Sequence, residues 1–371
     1  MERALFGGSQ TARFLHRFWQ KRPLLVRGAF PGFRGLLSRE DLTSLAVRDD
    51  VESRLVVRNR GRWTLMHGPF ARRDLDRLPS RNWTLLVQGV NLHVAACDAL
   101  LRRFAFIPQA RLDDLMASYA APGGGVGPHF DSYDVFLLQG EGRRRWRVAR
   151  QRDLALVPGL PLKILARFRP RHECVLEPGD MLYLPPEVAH DGVALEPCTT
   201  YSIGFRAPSA QELATGWLDW LRDRVELRGR YRDPDLARES DPARIPRDLQ
   251  AYARRVLSGV KCDAPMARQF LGAYLTEPKP SVAFAPPRRA FSAEAFAARA
   301  AHRGVRLDSA TQLLYDATHL FINGEVLEPR ANVATLLRRL ADTRELPAGR
   351  PGREASKLLY LWYRHGFLHL R

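Results

Sequence analysis

His129 and Asp131 stand one residue apart in GGGVGPHFDSYDVFLLQG, Gly123–Gly140, and a further histidine, His190, lies downstream in LEPGDMLYLPPEVAHDGVAL. Two imidazoles and one carboxylate are the set that binds Fe(II) on one face of an octahedron, leaving three positions for a chelating cosubstrate and oxygen. Residues two apart on a strand point to the same side, so His129 and Asp131 can share one ion. Read alone, the pair is equally a surface His–Asp at the start of a strand. A third ligand has to come from elsewhere, and the surroundings of His190 suit the part. Pro178-Gly179-Asp180 reads as a turn, Met181 to Leu184 as a strand and Pro185-Pro186 as a rigid break before the histidine. His129, Asp131 and His190 are therefore the candidate metal ligands and the candidate catalytic set. The other eight histidines include no second pair at ligand spacing.

A dicarboxylate cosubstrate such as 2-oxoglutarate needs a buried cation for its far carboxylate, and arginine offers a two-pronged fork. The stretch RRRWRV supplies four arginines. Strand alternation puts Arg144 on the side of the apolar Trp146 and Val148, and Arg143, Arg145 and Arg147 on the other. Arg144 is the candidate clamp; the alternative is an interior arginine satisfied by an acidic partner. In TTYSIGFR, Tyr201, Ile203 and Phe205 form a bulky face and Thr200, Ser202 and Gly204 a small one. Ser202 is thus a candidate hydrogen-bond donor to the cosubstrate, as is Tyr119 or Ser118, whose parity the sequence leaves open. The glycines at 123–125 and 127 read either as a flexible turn or as part of a substrate lip.

These side chains need a scaffold that brings distant strands to one mouth. Apolar runs punctuated by Pro and Gly, among them PLLVRGAF, SRLVVRN and NWTLLVQGV, predict many short strands before residue 207. The fold expected is α+β, with a double-stranded β-helix of the cupin jelly-roll type at its core. After Phe205 the pattern changes. Ser209 and Glu212 make a capping box, and Leu213, Trp217, Trp220 and Leu221 recur at helical spacing, a stripe that suits a core or a subunit interface. PKPSVAFAPPRR reads as a linker. The division expected is 1–207 catalytic, 208–277 helical, 278–289 linker and 290–371 a small winged-helix-like unit with an Asn323-Gly324 hairpin turn.

Composition bounds the function. No uninterrupted apolar stretch is long enough for a membrane span, and the N-terminus lacks the apolar core of a secretory signal. Four scattered cysteines without a C-x-x-C pair argue against a zinc ribbon or disulfide framework and fit a reducing cytoplasm. A balance of 58 Lys+Arg against 40 Asp+Glu, net +18, attracts polyanions without indicating base recognition.

GGGVGPHFDSYDVFLLQGEGRRRWRV, LEPGDMLYLPPEVAHDG, YSIGFRAP and FWQKRPLLVRGAFPGF together resemble the bacterial JmjC-type ribosomal oxygenases. The resemblance is carried by the first 207 residues and continues beyond them as architecture. It implies an Fe(II)-, 2-oxoglutarate- and O2-dependent dioxygenase that hydroxylates the β-carbon of an arginine in large-subunit ribosomal protein L-sixteen. It places the iron ligands on His129, Asp131 and His190, the 2-oxoglutarate carboxylate on Arg144, and the cosubstrate pocket lining on Ser202 and Tyr119. It also implies a homodimer built on the helical segment. Two alternatives stand beside it. One is the same chemistry on another residue, as in a histidyl hydroxylase. The other is a nucleic-acid-binding regulator with a vestigial cupin.

Overall fold

A computed structural model describes residues 8–234, 243–260 and 262–371; the first seven residues, part of the segment read for a secretory signal, lie outside this range. Among the described residues eleven strands precede residue 207: β1 (Leu24–Val26), β2 (Ser53–Asn59), β3 (Arg62–His67), β4 (Trp83–Val87), β5 (Leu112–Ala120), β6 (Val135–Gln139), β7 (Arg144–Ala149), β8 (His172–Leu176), β9 (Met181–Leu184), β10 (Ala189–Ala194) and β11 (Cys198–Phe205). They form an eight-stranded sheet in the order β1-β9-β6-β11-β5-β4-β2-β3 and a three-stranded sheet in the order β10-β7-β8. This is the expected double-stranded β-helix.

Strand alternation sorts two cores. On one face of the large sheet, Phe136, Leu138, Tyr183, Tyr201, Ile203 and Phe205 join Phe14, Leu42 and Phe104 from the N-terminal helices and turns. The bulky face read in TTYSIGFR is this one. Val135, Leu137, Leu182 and Leu184 point the other way and meet Trp146, Val148 and Leu176 of the small sheet. Each such side chain removed from water contributes about 1.5–3 kcal/mol, so both faces of the large sheet are committed. Buried hydroxyls tie the outer face together. The Tyr201 hydroxyl accepts from the backbone N–H groups of Leu36 and Leu37, at 2.6 and 2.7 Å.

The chain falls into two compact units that interleave in sequence. One runs to Ala207 and takes in Pro278–Thr311 and Thr343–Arg371; the other is Pro208–Glu277 with Gln312–Asp342. The linker and the two ends of the C-terminal region thus group with the barrel, instead of 290–371 standing apart. The cause lies in the pairing. β12 (Val305–Leu307) is flanked by strands from far down the chain, β16 (Glu345–Leu346) and β17 (Leu368–Leu370). β13 (Leu313–Tyr315), β14 (Leu320–Ile322) and β15 (Glu325–Leu327) make a separate sheet, packed on the helix Ala264–Thr276. There Gly272 leaves room for the Phe321 ring. The expected Asn323-Gly324 turn joins β14 to β15, both residues at positive φ, 49° and 88°.

In the second unit the helix Ala210–Arg222 starts at the Ser209–Glu212 capping box, and Trp217 and Trp220 stack 5.3 Å apart against Phe270. Among the described residues no helix is long and apolar enough to cross a membrane.

Candidate metal centre

His129 is brought to His190 by the backbone. Each N–H donates to the other's carbonyl, at 2.9 and 2.8 Å, an isolated antiparallel bridge. The segment before it is zipped onto the same strand: Gly123 N donates to Ala194 O, and Ala194 N to Gly124 O. The glycines are spacers for this close approach. A Cβ on Gly125 would sit 2.4 Å from Gly192 O, and one on Gly124 would sit 2.2 Å from Trp83 O. The 123–129 segment is therefore tied alongside β10 near both its ends. Asp131 is held by its own carbonyl, which accepts from Glu187 N at 2.7 Å.

One ligand atom each from His129, Asp131 and His190 lies within 4.8 Å of the others. His190 Nε2 is 3.6 Å from Asp131 Oδ2. Both imidazoles are oriented alike. His129 Nδ1 faces Gly127 O and His190 Nδ1 faces Val188 O, each at 2.9 Å. A carbonyl oxygen only accepts, so Nδ1 carries a proton in both rings and Nε2 is the nitrogen left to face the shared space. Burial, helped by the neighbouring His129, pushes the His190 imidazolium down to about 4, so at neutral pH it is the neutral, ligating form. Two imidazoles and a carboxylate on one side suit a non-haem Fe(II) ion.

β7 and β10 are paired so that Val148, Trp146 and Arg144 stand opposite His190, Gly192 and Ala194. Cross-strand partners share a face, so Arg144 projects to the same interior as His190. It is 4% exposed. Its hydrogen bonds go to neutral acceptors, Thr200 Oγ1 and Gly192 O, both at 3.2 Å, and its Nε has no partner. Desolvation lowers its pKa from the usual arginine value, yet among the described residues no carboxylate is bonded to it. A buried guanidinium without an acid is poorly satisfied as it stands. An incoming carboxylate is the group that would complete it, so the alternative of an acid-paired interior arginine does not hold.

Behind Arg144 stands a relay that sequence reasoning missed. Thr200 Oγ1 donates to Gln139 Oε1 at 3.4 Å, while Gln139 Nε2 donates to the carbonyls of Glu141 and Gly142. Gln139 thus fixes the Thr200 hydroxyl with its lone pair towards Arg144. Thr200 was on the small face already; Gln139 shares the parity of Val135 and Leu137, the one signal available for it. Ser202 lies two residues beyond Thr200 on this interior face, opposite Met116 and Leu137.

Tyr119 is placed otherwise. It pairs with Thr199, on the Tyr201 side of the sheet, and its ring packs 5.4 Å from that of Trp83 with the Arg39 guanidinium over it. It belongs to the outer core and not to the cosubstrate pocket. Ser118, opposite Thr200, is the residue of that pair facing the interior. Further along the same face, buried Asp114 accepts from Gln88 Nε2 at 2.6 Å and lies 3.6 Å from Lys279 Nζ. Tyr133 and Asp114 flank Gly204 there.

Comparison with known proteins bears on this geometry. Residues 99–213 match the JmjC domain family and residues 264–369 the ROXA-like winged helix. The ribosomal protein uL16 3-hydroxylase of Escherichia coli is 41% identical over 279 residues, covering 74% of this chain and 73% of that protein. Human ribosomal oxygenase 1 is 31% identical over 48% of this chain, which spans 29% of its length. Solved structures of the E. coli ribosomal oxygenase YcfD cover 97% of this chain and 98% of theirs. One superposes with a TM-score of 0.83 at 34% identity; another, in complex with cobalt and 2-oxoglutarate, gives 0.81 at 33%.

Proposed function

The chain belongs to the JmjC-domain ribosomal oxygenases, and from that premise we propose that it is an Fe(II)- and 2-oxoglutarate-dependent protein hydroxylase acting on the β-carbon of an arginine in ribosomal protein uL16. The observation that carries the reading is the pairing of a His–Asp–His cluster with a buried, acid-free Arg144 in one interior.

His129, Asp131 and His190 would hold the metal. Iron held there would supply oxygen chemistry, with O2 as the oxidant and 2-oxoglutarate as the two-electron co-reductant that leaves as succinate and carbon dioxide. Arg144 grips the far carboxylate, Thr200 and Gln139 fix its fork, and Ser202 lies within the same lining. Val135, Leu137, Trp146, Val148 and Leu182 make the walls apolar and exclude water from the reacting atoms. Asp114, which Lys279 and Gln88 already engage, still offers a guanidinium an acceptor, and the Tyr133 ring offers an aromatic face for its plane.

Of the four-part division we keep 1–207 as the catalytic part and 208–277 as the subunit contact; 278–289 and 290–371 are divisions of the sequence, shared between the two compact units. In support, Leu249, Tyr252 and Val256 form an apolar stripe on the helix Arg247–Ser258, which has no buried residue, and Leu257 is 70% exposed. We place the homodimer in the cytoplasm, where its ribosomal substrate is made. Sedimentation at micromolar concentration tests the dimer; a monomer there removes it.

Mass spectrometry of ribosomal proteins from a deletion strain tests the substrate. The expected result is uL16 lighter by one oxygen atom. Unchanged uL16, with the loss on a histidine of another ribosomal protein, would transfer the activity to the histidyl alternative.

A further inference from the structure

The charge of this chain is not evenly spread. Residues 143–171, the clamp strand and the connection to β8, hold ten Lys or Arg and one acid, Asp153. That is +9 of the net +18, in a small fraction of the length. Arg143 and Arg147 of the outer face are neutralised by Glu196 and Asp191. Arg150, Arg152, Lys163, Arg167, Arg169 and Arg171 are all exposed, and none forms an ion pair among the described residues.

The connection is a built structure. Gln151 Nε2 donates to Asp153 O and Arg167 O, and its Oε1 accepts from Arg169 N at 3.0 Å. This one side chain lays the outgoing limb, with Arg150 and Arg152, beside the returning limb, with Arg167, Arg169 and Arg171. Arg171 N is tied in turn to Val148 O. Leu154, Leu165 and Phe168 pack inward with Ala149 and Phe130, which leaves the cations to solvent. Five like charges held at one neck repel each other and contribute nothing to folding as they stand.

We infer that the neck of the β7–β8 connection is an RNA-binding surface that engages the phosphodiester backbone through Arg150, Arg152, Arg167, Arg169 and Arg171. Guanidinium forks match phosphate oxygens two at a time, and five of the six unpaired cations are arginine. A membrane surface fits less well. The tip of the connection exposes only Leu156 and Leu160, each 36%, and no aromatic side chain with which to enter a headgroup layer. The binding is backbone-directed and has no sequence preference. It holds the enzyme near ribonucleoprotein whether or not the proposed substrate is correct.

The test is fluorescence anisotropy of the full chain with a labelled RNA oligonucleotide over a salt series. The variant carries Arg150→Gln, Arg152→Gln, Arg167→Gln, Arg169→Gln and Arg171→Gln. A control removes the same charge from exposed arginines elsewhere, Arg13, Arg17, Arg288, Arg289 and Arg303, each to Gln. The expected result is a loss of about tenfold or more in the first variant, with its log–log salt slope shallower by about 3, against little change in the control. Unaltered thermal melting in both shows that the fold is retained. Equal losses in both variants would overturn the inference in favour of dispersed charge. Tighter binding of the native chain to phosphatidylglycerol vesicles than to RNA would overturn it in favour of a membrane.

Discussion

His129 and His190 face each other across a single pair of reciprocal backbone hydrogen bonds, with their rings 4.2 Å apart between centroids. The ligand spacing is thus set by main chain, and each Nε2 by the carbonyl two residues before it.

Removing the carboxylate should therefore abolish metal chemistry without unfolding the barrel. Asp131→Ala should lose iron-dependent succinate formation by at least about a hundredfold, the scale at which loss of a needed group acts on rate. Succinate release at the native rate would remove Asp131 from the ligand set.

Arg144 discriminates cosubstrate binding from turnover. Arg144→Ala should raise the KM for 2-oxoglutarate by about a hundredfold, since a charge-assisted contact contributes about 1.5–3 kcal/mol and leaves its partner unpaired when lost. An unchanged dependence on 2-oxoglutarate would reject the clamp. Thr200→Val, which keeps shape and removes the acceptor, should shift the same KM about tenfold with kcat largely retained.

Gly192 is a steric test of the same corner. A Cβ there would meet the Trp146 ring at 2.7 Å and Arg144 Nε at 2.9 Å. Gly192→Ala should destabilise the chain by about 1–3 kcal/mol through overpacking and raise the 2-oxoglutarate KM by displacing Arg144. Native melting and native KM together would show that the corner has slack.

Metal should stabilise what it binds. Adding Mn(II) at about a hundred times its Kd contributes about 2.7 kcal/mol to the folded state, so the native chain should melt higher than after chelation. Asp131→Ala should show little of this rise; a full rise would place the ion elsewhere.

Much of this site was legible because it obeys simple parity. His129, Asp131, His190 and Arg144 could be assigned to one interior by type, spacing and alternation. Tyr119 could not, because β5 is covered on both faces and its residues do not alternate in polarity; only the register with β11 reveals which way each points. Gln139 and Gly125 were hidden for another reason. Each acts on a partner distant in sequence, the Thr200 hydroxyl and the Gly192 carbonyl. The interleaved units were missed because very short strands, such as Glu345–Leu346, carry no pattern of their own.

The bridge between His129 and His190 also fixes when the centre can exist. Two ligands leave the ribosome first, but their placement waits on β10 and on Glu187 to close the intervening chain back upon them. A nascent chain ending before His190 therefore carries two ligands without a site, and the site closes only once β10 has paired back onto them.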